Sequence, residues 1–379
     1  MGRRQDYAQK NNELLMEALE LTRAAPGEKI MLMSGGQDSR RLGVTADHID
    51  LPITIASQET VNYAGVDADV VIARRVAEYL NRPFLSEPLL PTEGFYNDSI
   101  LRDYWLGFES NQHEWILPLV RNLPSNSLLY DGITGDVTIQ CGWFLEVYPE
   151  LLDKWRDKDI DEAAERICRG RMVFPIEKSK LQSSLFERVR ESIKQYPECP
   201  HRLNYFWMLN RARRNTALQA QLYSLHGHRI CFPFLYYPLF LQCMSLHPGT
   251  LLEKRYQSVC MALLNPGAVD LPTTRGKLGP GDVIERSRER RERDILFAKR
   301  SFLRDDVLAV MPDTAPRLRL FKVTRALGIG PIAQRLKWIA WPAARMSMFM
   351  DFLEDAEKPA FPVKETQPAF FKGRLIDYS

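Results

Sequence analysis

The stretch KIMLMSGGQDS, residues 29–39, constrains the fold of this chain more than any other. Residues 29–33 form a short continuous apolar run, which is typical of a strand buried on both faces of a parallel sheet. Two glycines, an acid and two serines lie just beyond it, before a segment with helical spacing. A glycine loop between a strand and a helix lets backbone N–H groups approach a polyanion closely. The stretch therefore predicts a phosphate site at the carboxyl end of a buried strand.

Asp38 adds a second requirement to this loop. A carboxylate repels phosphate unless a cation lies between them, so Asp38 indicates Mg²⁺. Ser34 and Ser39 supply hydroxyl donors on either side of it. The loop is neither a Walker A loop, because Gly-Lys-Ser/Thr is missing, nor a GxGxxG loop.

Strand and helix patterns alternate through the first 140 residues. The strand-like runs lie at 29–33, 51–57, 83–88 and at the start of 126–136, and the helical patterns lie at 8–24, 67–83 and 99–122. Such alternation predicts an α/β fold with a doubly wound parallel sheet. Long helical periodicities dominate from residue 141 to 265, so we expect a mostly helical second region.

These patterns divide the chain into four segments. We expect an N-terminal helix in residues 1–27, a nucleotide-binding α/β core in 28–140, a helical region that completes the site in 141–300, and a helical extension with a tail in 301–379.

Charge and cysteine spacing exclude several classes of protein. A formal net charge of +3 over 379 residues is too small to indicate nucleic acid or an anionic membrane as the partner. Six cysteines without a CxxC pair indicate neither a zinc site nor a dithiol redox centre. The N-terminus has no apolar core of a signal peptide, and no apolar run is long enough for a transmembrane segment. We therefore expect a cytoplasmic protein.

The run SGGQDS at 34–39 resembles the SGGxDS motif of the pyrophosphate-loop (PP-loop) ATPases. Three later stretches resemble the asparagine synthetase-like branch of that superfamily. LLYDGITGDV at 128–137 is similar to its SGxGxDE loop, HRICFPFLYYPLFLQCMSLHPG at 228–249 to its ExRxPFLD segment, and LPTTRGKLG at 271–279 to its RPKxGF-type loop. The resemblance covers about residues 28–280 and implies a HUP-like doubly wound fold.

The resemblance also implies a role for each matching residue. Pyrophosphate of ATP would be held by Ser34, Gly35, Gly36, Asp38 and Ser39, and Mg²⁺ by Asp38 and Asp136. The remaining contacts would come from the later strands and loops: Gly132 and Gly135 on the acceptor side, backbone groups of Ile55, Ala56 and Ser57 at the adenine, and Lys277 with Arg275 at the leaving pyrophosphate.

The chain departs from that branch on the acceptor side of the site. Ile133 and Val137 stand where the SGxGxDE-type loop carries acids, and Tyr236 stands where PFLD carries its aspartate. Only about 28 residues precede the first strand, which is too few for the glutaminase domain of asparagine synthetases. The ATP half of the site is therefore kept, the acceptor half is rebuilt, and asparagine is not the expected product. The candidates for an acceptor-side base are His201, His226, His228, Tyr236 and Tyr237.

The resemblance implies an ATP-dependent, AMP-forming ligase that needs Mg²⁺. It would adenylate a small-molecule or peptide carboxylate and join it to an amine or ammonia, in a natural-product, modified-peptide or surface-polysaccharide pathway. A partner protein that supplies the substrate is compatible with this function. Two alternatives stay open at this point: a tRNA-modifying enzyme of the same superfamily, and a non-catalytic ATP-binding scaffold subunit.

Overall fold

The structure is a computed structural model. It describes residues 2–59, 66–87, 116–138, 149–171, 180–251, 255–274, 278–289, 291–292, 295, 302–310, 314–326, 344 and 347.

A five-stranded, all-parallel sheet forms the centre of the molecule. The strands in chain order are β1 (Lys29–Leu32), β2 (Thr54–Gln58), β3 (Val66–Asp67), β4 (Phe84–Glu87), β5 (Leu128–Asp131), β6 (Arg229–Cys231) and β7 (Ile284–Glu285). The sheet has the order β4-β2-β1-β5-β6, while β3 and β7 form a separate antiparallel pair. The chain builds the sheet outward from β1 in one direction and then, from β5, in the other. The point of reversal, between β1 and β5, is where open α/β sheets form a crevice at the carboxyl ends of their strands.

Helices account for most of the remaining described residues. They are α1 (Gly2–Glu20), α2 (Gln37–His48), α3 (Asp69–Tyr79), α4 (Ile116–Asn122), α5 (Gly135–Thr138), α6 (Ile160–Arg171), α7 (Lys180–Lys194), α8 (Arg202–Trp207), α9 (Arg213–Leu225), α10 (Tyr237–Met244), α11 (Pro248–Leu251), α12 (Arg255–Leu264), α13 (Pro266–Val269), α14 (Asp305–Val310) and α15 (Thr314–Ala326). A π-helical segment, Met208–Ala212, joins α8 to α9. None of the described helices has the length and apolar character needed to cross a membrane.

Both faces of the sheet are buried under helices, and β1 shows why its sequence is continuously apolar. Met31 packs into the cluster that includes apolar residues of α1, α2 and α3. Ile30 and Leu32 point the other way, into a cluster with residues of α4 and α9. Successive side chains of a strand face opposite sides, so a strand buried on both faces needs apolar residues at every position. The predicted α/β fold with a parallel sheet is confirmed, and the covering of both faces is compatible with a doubly wound arrangement.

The edge strand β6 comes from the region that the sequence predicts to be helical. Its three residues pair in parallel with β5, with Ile230 opposite Leu129. A strand of this length shows no periodicity of its own, which is why the long helical patterns around it hid it. The helix α9, just before it, covers the second face of the sheet with Leu222 and Tyr223.

The N-terminal helix also belongs to this core. Leu14, Leu15 and Leu19 of α1 are buried in the same cluster as Met31. Of the helix predicted at 99–122, only α4 lies within the described residues. Of the predicted C-terminal extension, the structure describes chiefly α14 and α15.

Candidate functional site

The loops after β1 and β5 meet at the point where the strand order reverses. A Cβ atom placed on Gly132 would lie 2.7 Å from the backbone nitrogen of Ser39. A Cβ atom placed on Gly135 would lie 2.9 Å from Cβ, Cγ and Oδ1 of Asp38. Only glycine permits these approaches, because real Cβ contacts are not this short. The structure thus brings together residues 34–39 and 132–136, which the sequence predicted to share one site.

The two serines of the first loop order its backbone. The Ser34 N–H donates to Ser39 Oγ (3.1 Å), and the Gly36 N–H donates to Ser34 Oγ (3.2 Å). Ser39 is buried and Ser34 is exposed. The hydroxyls predicted as phosphate donors therefore also hold the loop in shape.

Gly35 is held from two sides by residues that sequence reasoning missed. Its N–H donates to Asp69 Oδ1 (2.7 Å), in the first turn of α3, and its carbonyl accepts the Thr274 N–H (3.1 Å). Burial raises the pKa of the Asp69 carboxyl, although the Gly35 N–H acts in the opposite direction. A Cβ atom at Gly35 would lie 2.5 Å from Thr274 Cγ2, so the wall beside this glycine is close-packed. Thr274 lies within the stretch 271–279 singled out in the sequence, whereas nothing in the sequence signals Asp69.

Asp38, the predicted magnesium ligand, has a hydrogen-bond partner within the protein. Gln257 Nε2, from α12, donates to Asp38 Oδ1 (2.7 Å), and Gln257 is completely buried. Asp136 lies half-buried in the first turn of α5, next to Gly135.

These two acids fit a magnesium site that is shared with a substrate. Within the described part of the chain, no group of three or more His, Cys, Asp or Glu residues is placed to hold a metal ion. Mg²⁺ is commonly bound by one or two carboxylates together with phosphate oxygens and water. Asp38 and Asp136 would supply the carboxylates for such a site, and the phosphates would supply the other oxygens.

Asp131 is a further acid at this edge, and its role was not predicted. Its Oδ1 accepts the Ile133 N–H and its Oδ2 accepts the Tyr223 hydroxyl, each at 2.9 Å. Burial raises the pKa of Asp131, and both hydrogen bonds act in the opposite direction. An acid at the last position of a buried strand, directly before a glycine, was the available signal.

The second loop contains a strained residue. Thr134 has φ +76° and is buried between the two glycines of the loop. A β-branched residue in the left-handed region costs of order 1–3 kcal/mol, and such strain clusters at functional sites. Ile133, which replaces an acid of the family loop, is half-buried, and the side chain of Val137 lies outside the described part of the structure.

The residues predicted to offer backbone groups to adenine lie inside β2. The Ile55 N–H donates to the Pro83 carbonyl (2.9 Å), and the Ala56 carbonyl accepts the Met33 N–H (2.8 Å). Ser57 is buried, and the strand continues to Gln58 instead of ending at residue 57. The Ile55 N–H and the Ala56 carbonyl are therefore occupied by hydrogen bonds to neighbouring chain segments of the sheet, and they lie within β2 instead of at its end.

The predicted phosphate ligands Arg275 and Lys277 lie outside the described residues. The residue before them, Thr274, is bonded to Gly35.

Two of the three histidines considered as acceptor-side bases lie away from the two loops. His226 and His228 precede β6, so they sit at the amino edge of the sheet, opposite the two loops. The His228 ring contacts the Val120 carbonyl (2.8 Å), and the His201 ring contacts the Leu246 carbonyl. Burial lowers the pKa of His201, and it lowers the pKa of His226 to about 4. The Tyr236 hydroxyl is bonded to Glu17 Oε1 (2.6 Å).

No protein-family model matches this sequence, and no curated protein is significantly similar to it. The family resemblance therefore depends on the motifs themselves and on the geometry of the two loops.

Proposed function

We propose that this chain is an ATP-dependent, AMP-forming ligase of the pyrophosphate-loop type, related to the asparagine synthetase-like branch. One observation carries the proposal: the SGGQDS loop and the glycine loop with Asp136 are in contact at the reversal point of a parallel sheet, with Asp38 packed against Gly135. The strand order, which reverses between β1 and β5, supports the HUP-like fold implied by the motifs. Ligands of open α/β sheets bind at such a reversal point.

In this proposal the first loop holds the pyrophosphate part of ATP through backbone N–H groups at the start of α2. The N–H groups of residues 34–36 shape the loop instead, because they donate to side chains of the protein. Asp38 and Asp136 hold Mg²⁺, which when bound neutralises charge on the phosphate oxygens. A substrate carboxylate oxygen attacks the α-phosphorus and pyrophosphate leaves. An amine then attacks the acyl carbon, AMP leaves, and the amine loses a proton. The chain contributes mainly by positioning the reactants and neutralising charge.

Lys277, with Arg275, is the proposed cation for the leaving pyrophosphate. The Thr274 N–H donates to the carbonyl of Gly35, within residues 34–39, the proposed phosphate loop. Lys277 follows Thr274 by three residues, and three residues of extended chain span at most about 10 Å, which supports this role.

The acceptor half supports a substrate other than aspartate. Ile133 cannot accept a proton from an attacking ammonium ion, and the histidines at 226 and 228 lie at the opposite edge of the sheet. The proposed substrates are a small-molecule or peptide carboxylate and an amine or ammonia, in a specialised pathway. The apolar Ile133 also supports a second candidate, an ATP-binding scaffold subunit without turnover.

The central experiment separates the charge of Asp38 from its hydrogen bond to Gln257. Asp38→Asn keeps an oxygen acceptor for Gln257 but removes the negative charge, whereas Gln257→Leu keeps the charge and removes the donor. If Asp38 binds Mg²⁺, Asp38→Asn loses Mg-ATP binding in isothermal titration calorimetry and Gln257→Leu retains most of it. Wild-type affinity for Mg-ATP in Asp38→Asn would refute the metal role of this residue.

The nucleotide products test the reaction. ATP–pyrophosphate exchange over a panel of carboxylates is expected to identify a substrate, and chromatography after turnover is expected to show AMP and pyrophosphate. ADP as the main product would contradict the proposal. Mg-ATP binding with no exchange over the whole panel would favour the scaffold.

A further inference from the structure

Two consecutive arginines, Arg40 and Arg41, follow the phosphate loop in α2, and both are completely buried. Taking a guanidinium out of water is costly unless its donors find acceptors. The two side chains find acceptors in different places, while Arg40 Nε and the Nε and Nη1 atoms of Arg41 are buried without a hydrogen-bond partner among the described residues. Arg40 bonds to residues 268–272, and Arg41 bonds to α1.

Arg40 holds a turn of backbone that follows α12. Its guanidinium donates to the carbonyl oxygens of Ala268 (3.3 Å), Leu271 (2.7 Å) and Pro272. Burial lowers the pKa of Arg40 to about 10, so the group is still charged at neutral pH. Three carbonyls around one cation fix the direction of this backbone, because charge-assisted hydrogen bonds are stronger than neutral ones.

The same backbone forms the outer wall of the phosphate loop. Two residues beyond Pro272, the Thr274 N–H donates to the Gly35 carbonyl (3.1 Å). Thr274 Cγ2 lies so near Gly35 that an added Cβ atom would approach it to 2.5 Å. Arg40 follows the loop directly in sequence. It is also connected to the loop through space, because it bonds to residues 268–272 and Thr274 bonds to Gly35.

We propose that Arg40 is a positioning residue for the phosphate loop. It holds residues 268–274 against Gly35 and thereby fixes the backbone of residues 34–39 in the orientation that receives polyphosphate. The identity of the ligand rests on the proposed function, whereas the positioning itself can be tested without ATP.

Arg41 provides a matched control within the same helix. It is equally buried, and its guanidinium donates to Asn11 Oδ1 (2.6 Å) and Asn12 Oδ1 (3.0 Å). Arg41→Met removes the same kind of group as Arg40→Met but leaves residues 268–274 in place. A merely structural role for Arg40 predicts that both variants change the phosphate loop equally.

The first readout is hydrogen exchange of residues 34–39, measured by mass spectrometry on the full chain without nucleotide. Arg40→Met is expected to exchange at least about tenfold faster there than Arg41→Met, after correction for global stability from urea unfolding. The second readout is Mg-ATP affinity, expected to be about tenfold weaker in Arg40→Met than in Arg41→Met. Equal exchange at residues 34–39 in the two variants overturns the inference.

Two further variants keep the test decisive if Arg40→Met does not fold. Arg40→Lys keeps the charge but cannot reach three carbonyls with a planar fork, and it is expected to show the same defect in weaker form. Thr274→Ala removes the Cγ2 contact with Gly35, and its effect on loop exchange should be smaller in the Arg40→Lys background than in the Arg41→Met background. Additive effects in both backgrounds would exclude the coupling.

A wild-type chain that binds no Mg-ATP would remove the proposed function, while a loop defect specific to Arg40 would still support the positioning role.

Discussion

Single glycines determine how closely the two loops of the candidate site approach each other. We expect Gly135→Ala to weaken Mg-ATP binding at least tenfold, because its Cβ would lie 2.9 Å from three atoms of Asp38 and displace that carboxylate. Gly281→Ala is the control, since its Cβ would meet only the end of the Arg75 side chain, at 3.2 Å. Calorimetry measures the affinity for Mg-ATP, and circular dichroism checks that both variants are folded. Equal affinities in the two variants would show that Mg-ATP binding does not depend on the observed position of Asp38.

Burial of one histidine is expected to make stability depend on pH. The pKa of His226 is lowered from its ordinary 6.5 to about 4, first by burial and then by Arg121 and His228. Between these pH values the unfolded chain binds more protons at this residue than the folded chain does, so its contribution to stability is lost as the pH falls from about 6.5 to about 4. Urea unfolding across this range should show a shallower loss in His226→Asn than in the wild type. Parallel pH profiles would mean that His226 has the same pKa in the folded and the unfolded chain.

The residues of the site were predictable where they are contiguous in sequence and hidden where they are not. SGGQDS and DGITGD each place glycines and acids within a few positions of a strand end, and that pattern is visible in one dimension. Gln257 is separated from its partner Asp38 by 219 residues, and Asp69 reaches Gly35 only through the placement of α3. Such contacts follow from packing, which no local pattern records.

The N-terminal helix α1 is part of the sheet's core, and its two nearby leucines test this. Leu19 is fully buried, whereas Leu21, just after the helix, is 69% exposed. Leu19→Ala should lower the free energy of unfolding by about 2–5 kcal/mol, because it leaves a cavity in the core. Leu21→Ala should change it by less than about 0.5 kcal/mol. Urea unfolding of both variants measures the difference, and similar losses would mean that α1 does not pack as described.

Elements differ in how well their sequences reveal them. The strands β1, β2 and β5 were predicted because their mostly buried positions favour apolar residues between turn residues. The edge strand β4 was also predicted, although its four positions are only half-buried or exposed. Their ends were less predictable: β2 ends at Gln58, because backbone pairing with β4 continues past the apolar run. The three-residue β6 has too few positions for any pattern, and its pairing with β5 depends on the position of α9.

The candidate site needs segments from beyond the first 140 residues. The predicted core of residues 28–140 contains both glycine loops, but later segments supply their supports: β6 pairs with β5, Gln257 bonds to Asp38, and Thr274 bonds to Gly35. Tyr223 of α9, which is completely buried, covers the sheet beside Asp131.

A fragment of residues 1–140 is therefore expected neither to unfold cooperatively in urea nor to bind Mg-ATP. Removing the later segments exposes the apolar face of the sheet around Leu129, which loses the cover of Leu222 and Tyr223. It also opens the β5 edge to unpaired hydrogen-bonding groups, which favours aggregation. The full chain, refolded and assayed in parallel, is the control. Cooperative unfolding and Mg-ATP binding by the fragment would show that the two loops hold their geometry without Gln257 and Thr274, and that the supports described here are not what builds the site.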